Sequence, residues 1–161
     1  MLFSTVFFWQ VALAVHVLFV VLAFGLLLVY PFMVVATERI EPRFLPTLMR
    51  MRQFLGRTLV NPGLVVVVAA GVYLAADLHQ WQDFYVQWGI GAVIVIAGLE
   101  GSFVIRRSGK LAELAQRDIA AAGEGEIAWS REYLTARGRA DQVNALLAMI
   151  VVVTIFLMVV R

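Results

Sequence analysis

The chain has 161 residues, of which 62% are apolar and 15% charged, with a formal net charge of +2. Soluble domains carry about a quarter charged residues, and one of this size could not bury so much apolar surface. Composition therefore excludes intrinsic disorder, a collagen-like repeat and an ordinary soluble enzyme domain, and makes the bilayer the natural solvent.

The charges are clustered. Residues 1–37, 58–76 and 142–160 contain no Asp, Glu, Lys or Arg, and 84–105 contain only Glu100. A helix needs roughly 20 apolar residues to cross about 30 Å of hydrocarbon. Four spans are predicted, near 8–32, 58–76, 84–105 and 142–160. Each run is continuously apolar, whereas a barrel strand would alternate over about ten residues. The expected fold class is therefore all-α: an integral membrane four-helix bundle forming one transmembrane domain.

Helix 1 is longer than one crossing needs. Pro31 and Pro42 predict a kink or a frayed inner end. The N-terminus has no basic residue and the apolar run is too long for a signal peptide, so this segment is expected to be retained. The first connection holds Arg39, Arg43, Arg50, Arg52 and Arg57. The second holds Asp77 and Asp83 but no basic residue. The third holds Arg106, Arg107, Lys110, Arg117, Arg131, Arg137 and Arg139. Of the thirteen basic residues only Arg161 falls elsewhere. The positive-inside rule then puts both termini outside and connections 1 and 3 in the cytoplasm. Trp9, Tyr73, Trp81, Phe84, Tyr85 and Trp88 fall near the outer interface, where amphipathic rings are favoured. The expected location is a bacterial cytoplasmic (inner) membrane, as a multi-pass protein. The charge asymmetry belongs to topology, and no nucleic-acid-binding pattern is present.

The third connection, 106–141, is long for a loop. Leu111, Leu114, Ala115, Ile119 and Ala122 repeat at helical spacing, and Glu113 precedes Arg117 by four. Gly123 and Gly125 break the pattern. From Ile127 onward the sequence is helix-compatible, with Trp129–Tyr133 and Arg137–Asp141 as i,i+4 pairs. A cytoplasmic helical hairpin between helices 3 and 4 is expected. It is either a solvated face or a docking surface for a partner.

The chain has no cysteine. Disulfides, thiolate metal sites, iron–sulfur ligation and c-type haem attachment are excluded. No phosphate loop, HExxH or GxSxG is present. Ionisable residues inside a span are costly and usually functional. Two qualify, His16 and Glu100. Both helices run inward, and at 1.5 Å per residue their levels differ by about 12 Å, so a direct pair is not expected. His16 is flanked by Ala12 and Ala23, which leaves room for a neighbouring helix or a flat ligand. It is read either as hydrogen-bonded to that helix or as an axial haem ligand. His79 reads as an interfacial polar residue. Glu100 is expected to reach Arg106 or Arg107, or to stay protonated. Gly91, Gly98 and Ser102 share one helix face, which favours close backbone approach. Gln87 is a further candidate interior polar group.

These residues carry a resemblance. Trp9, His16-Val17-Leu18-Phe19 and Tyr30-Pro31 resemble the first helix of a group of small four-helix bacterial membrane proteins. The group includes the HemJ-type protoporphyrinogen oxidases, the copper-resistance D domain and a related family without assigned function. Arg52-Gln53-Phe54-Leu55-Gly56-Arg57, Asn61-Pro62-Gly63 and Phe84-Tyr85-Val86-Gln87-Trp88 extend it over about residues 5–120. The nearest likeness is to the unassigned family, through Tyr30-Pro31-Phe32-Met33, Glu38-Arg39 and Asn61-Pro62-Gly63. The resemblance implies b-type haem held by His16, as cofactor and metal ligand. HemJ-type chains carry Lys near the start of helix 3, where this chain has Gln87. They carry His deeper in helix 3, where this chain has Glu100. Both departures count against protoporphyrinogen oxidation, and an outer face with His79 alone counts against copper import. Three functions are expected: a haem-binding or redox protein, an accessory subunit of a larger membrane complex, or a small proton- or metal-linked transporter using Glu100 and Gln87. The expected partners are the lipid bilayer and either further copies of the chain or a larger complex.

Overall fold

A computed structural model describes residues 8–160. Arg161, the basic residue assigned to the outer side, lies outside them. The described residues form helices and connecting turns. The order is α1 (Phe8–Ile40), a 3-10 turn (Pro42–Phe44), α2 (Leu45–Leu55), a π-helical turn (Gly56–Val60) and α3 (Asn61–Asp77). Next come α4 (Phe84–Leu99), a second π turn (Glu100–Val104), α5 (Ile105–Ala122) and α6 (Arg131–Val159).

These pieces join into four rods, Phe8–Ile40, Pro42–Asp77, Phe84–Ala122 and Arg131–Val159, each long and apolar enough to cross a membrane. The chain is a multi-pass membrane protein. The longest rod has 39 residues, about 58 Å of helix against about 30 Å of hydrocarbon. Every rod outruns the bilayer, and the excess lies at the same end of the bundle. The connection at 106–141 is therefore largely the continuation of spans 3 and 4, with a short linker at 123–130. The first connection is likewise mostly helix. α1 runs through Pro31 to Ile40 because Tyr30 and Val34 are buried against the packing of that end.

Two apolar cores result. One lies among α1, α3, α4 and α6 and includes Phe24, Leu27, Leu64, Val67, Ile96 and Leu147. The other lies among the overhanging ends and includes Val34, Leu45, Met49, Leu111, Ala115 and Tyr133. α5 buries Leu111, Leu114 and Ala115 as their spacing predicts. Ion pairs tie the overhang together: Arg137 Nε lies 3.0 Å from Glu38, and Arg137 also holds Asp141. Arg117 pairs with Glu132 and Asp118 where sequence spacing suggests Glu113. Gly123 ends α5 at φ +58°, a region that suits glycine. Ser130 starts α6 by accepting the Tyr133 amide at 3.2 Å, a standard N-cap. Trp129 stacks on Tyr133 with centroids 4.5 Å apart, from a position just ahead of the helix.

The opposite end is aromatic. Trp88 Nε1 donates to Thr154 Oγ1 at 3.1 Å, and Phe8 meets Tyr73 edge-on at 5.2 Å. His79 is exposed at φ +56° in the turn between rods two and three. Its backbone shapes that turn.

Candidate functional site

Where the two cores meet, four helical rods contribute polar groups to one buried cluster. Arg52 sits in the last turn of α2 and is only 7% exposed. Its Nη2 donates to Glu100 Oε1 at 2.8 Å and to Asn144 Oδ1 at 3.1 Å. Glu100, which opens the second π turn, is 1% exposed, and Asn144 of α6 is 8% exposed. The ring of Tyr30, from α1, lies 3.9 Å from the guanidinium carbon, a cation–π contact.

Local sequence explains the placement. In α2, Leu45, Leu48, Met49, Arg52 and Gly56 recur at i, i+3, i+4, i+7 and i+11, so Arg52 lies on the buried stripe. In α6, Asn144, Leu147, Val151 and Thr154 form the inward stripe. The two π turns flank the cluster. Gly56 lets the first π turn approach the start of α5, because a Cβ there would lie 2.9 Å from Ile105 Cγ1. π turns re-aim the residues that follow and often mark functional sites.

Burying two charges carries a desolvation penalty, which their attraction offsets only in good geometry. Here a short ion pair, an amide acceptor and an aromatic face share the work. The guanidinium is incompletely satisfied: among the described residues, Arg52 Nη1 is buried without a hydrogen-bond partner. A cavity of about 60 Å³ lies against Tyr30, Arg52 and Glu100. That is room for roughly four waters.

The sequence candidates sit apart from one another. Glu100 is in the cluster, but its partner is Arg52, not Arg106 or Arg107. Gln87 is exposed, and its Nε2 donates to the Trp81 carbonyl at 3.2 Å, which tightens the turn before α4. Thirteen residues of helix, about 20 Å, separate it from Glu100. His16 is half-buried and pairs through Nδ1 with the Val67 carbonyl at 2.9 Å. Gly71 makes room for its ring, since a Cβ there would approach Cε1 to 3.2 Å. His16 thus makes the contact to a neighbouring helix that one of its two readings required. The lining of the 60 Å³ cavity does not include His16. Among the described residues, no three His, Cys, Asp or Glu side chains cluster as metal ligands would. Gly91 and Gly98 are exposed on α4, with open space where a Cβ would stand.

Sequence reasoning missed Arg52, Asn144 and Tyr30 as site residues. Arg52 was one of several basic residues that mark a membrane side, and its place on the α2 stripe was the available signal. Asn144 stood in a charge-free run, and an amide adds nothing to a charge count. No family model, curated protein or solved structure matches the chain.

Proposed function

We propose that the chain is a small proton-linked membrane transporter in which Glu100 carries the proton and Arg52 is its counter-charge. The observation that supports this reading most is the buried Arg52–Glu100 pair at 2.8 Å, held between two apolar cores. Ionisable residues at membrane depth are costly and tend to mark ion or proton pathways. Protonation of Glu100 would leave Arg52 held by Asn144 and the Tyr30 ring, and deprotonation would recapture it. The π turns on both sides are the natural place for that rearrangement to be absorbed.

In this proposal the protein lies in a bacterial cytoplasmic membrane, with the basic overhang inside and both termini outside. Four helices leave little room for alternating access, so it works with further copies or within a larger complex. Infrared difference spectra across a pH step test the proton role. Wild-type protein should show a carboxyl C=O band that Glu100→Gln removes while the protein stays monodisperse. A spectrum unchanged by that substitution would remove Glu100 as the carrier.

A second reading keeps b-type haem at His16. The hydrogen bond between Nδ1 and the Val67 carbonyl supports it, because the same contact orients metal-bound imidazoles and leaves Nε2 its lone pair. A single imidazole supplies one axial position, so this reading takes the second ligand from a neighbouring copy of the chain. A reduced-minus-oxidised spectrum after haem supplementation should then show a Soret band that His16→Ala abolishes. No band ends this reading.

A further inference from the structure

The overhang has two unlike flanks. On the side of α5 and α6 its charges are balanced: residues 105–141 hold seven cations and six carboxylates. Lys110 and Arg117 pair with Glu132, and Arg137 pairs with Glu38 and Asp141. Leu134 is the one exposed large hydrophobic side chain described in that stretch. On the side of α1 and α2 the surface is apolar and basic. Phe32, Met33, Ile40, Phe44, Met51 and Phe54 are all exposed, Ile40 at 82% and Phe54 at 65%. Interleaved with them are Arg39, Arg43, Arg50 and Arg57, also exposed. Among the described residues, none of these four arginines lies within ion-pair distance of a carboxylate. Arg43 and Arg50 donate only to neutral acceptors, the Gly125 carbonyl and Gln116 Oε1. Glu38 turns to Arg137, which leaves Glu41 as the exposed acid of this flank.

Length says what this flank meets. Exposed apolar side chains run along α1 from Phe8 to Ile40, about 48 Å of helix. The hydrocarbon is about 30 Å thick, or about 40–45 Å with both headgroup layers. A tilt of about 30° toward this flank fits that length into that depth, and tilting is a common relief of such mismatch. The α1–α2 flank then lies in the headgroup layer, while the balanced α5–α6 flank stands in water. Apolar side chains interleaved with cations are the composition of surfaces bound at a membrane interface. A guanidinium fork also matches the oxygens of a phosphate. A second copy of the chain fits poorly. A two-fold interface would set the four arginines against their own copies, with Glu41 as the one exposed acid from each.

We propose that the α1–α2 flank of the overhang docks on anionic phospholipid. Arg39, Arg43, Arg50 and Arg57 meet the phosphate groups, and Ile40, Phe44 and Phe54 sit among the upper acyl carbons. Arg52 turns inward to Glu100 and takes no part, so this surface is independent of the proton role.

The chain has no cysteine, so one introduced cysteine carries a bimane at a single place. Ile40→Cys and Phe54→Cys label the flank. Leu134→Cys labels α6 about 15 Å beyond the level of Asn144, as Ile40 is beyond Tyr30. All three positions are exposed, so none of these substitutions removes core packing. The full chain is placed in nanodiscs of phosphatidylcholine and phosphatidylglycerol, with each lipid in turn brominated in its acyl chains. Labels at 40 and 54 should be quenched by brominated lipid and shielded from acrylamide, and the label at 134 should show the reverse. Mole for mole, brominated phosphatidylglycerol should quench the label at 54 more than brominated phosphatidylcholine. Arg57→Gln, one helical turn from that label, should lower the preference about fivefold, the share of one arginine at an anionic surface. Arg57 holds no side-chain hydrogen bond or ion pair among the described residues, so the fold does not depend on it. Acrylamide quenching at 40 and 54 equal to that at 134 would put the flank in water and overturn the proposal. Equal quenching by the two lipids overturns it too, as does a preference that Arg57→Gln leaves unchanged. A flank shielded from both acrylamide and lipid is covered by protein, and that result also overturns it.

Discussion

Arg52→Leu should destabilise the protein by about 3–5 kcal/mol, because it strands the Glu100 carboxylate at 1% exposure with no counter-charge. Asn144 loses its donor in the same step, since both acceptors share Arg52 Nη2. The double variant Arg52→Met, Glu100→Met should recover at least half of that loss. Removing both charges removes the desolvation penalty together with the attraction, and two methionines fill similar volume flexibly. Reversible unfolding in mixed micelles gives all four corners of the cycle. Purely additive losses would mean that the pair is not an interacting unit.

A second pair of substitutions reads out where water begins. Leu45 and Leu64 are equally buried, at 0% and 1% exposure, but in different cores. Leu45→Ala should cost about 2–5 kcal/mol, the usual loss for a leucine buried from water. Leu64→Ala should cost clearly less. Lipid tails are as apolar as leucine, so the membrane core gains only packing and dispersion from that side chain. Both variants are measured in the same nanodiscs by the same unfolding assay. Equal losses, or a larger loss for Leu64→Ala, would show that the overhanging core does not stand in water.

Much of the architecture was legible in the residues. Charge-free runs of about 20 residues have few uses besides crossing a membrane, so the four spans follow from composition and length. The amphipathic pattern of Leu111, Leu114 and Ala115 foretold the buried face of α5. The extent of the helices was less legible. Pro31 and Pro42 predict a kinked or frayed inner end, but packing of Tyr30 and Val34 carries helix 1 through Pro31 to Ile40, two residues before Pro42. Helical spacing in 106–141 predicts a helical connection there, and the structure makes most of it continuous with the spans on either side.

The site divided along the same line. Glu100 stood out because a lone carboxylate in an apolar run is conspicuous. Its partner did not, because Arg52 is 48 residues away in sequence and looks like any other basic residue at a membrane boundary. Asn144 is 92 residues from Arg52, and Tyr30 reads as an ordinary interfacial aromatic. Local pattern is a property of one helix, whereas a polar cluster drawn from four rods exists only once their rotation and register are set. The low charge content thus determined by itself that this is a four-span membrane protein. Tertiary structure decided which of its few charges is hidden. Only the packing of two cores could place Arg52 against Glu100 and make burial of both less costly than burial of either alone.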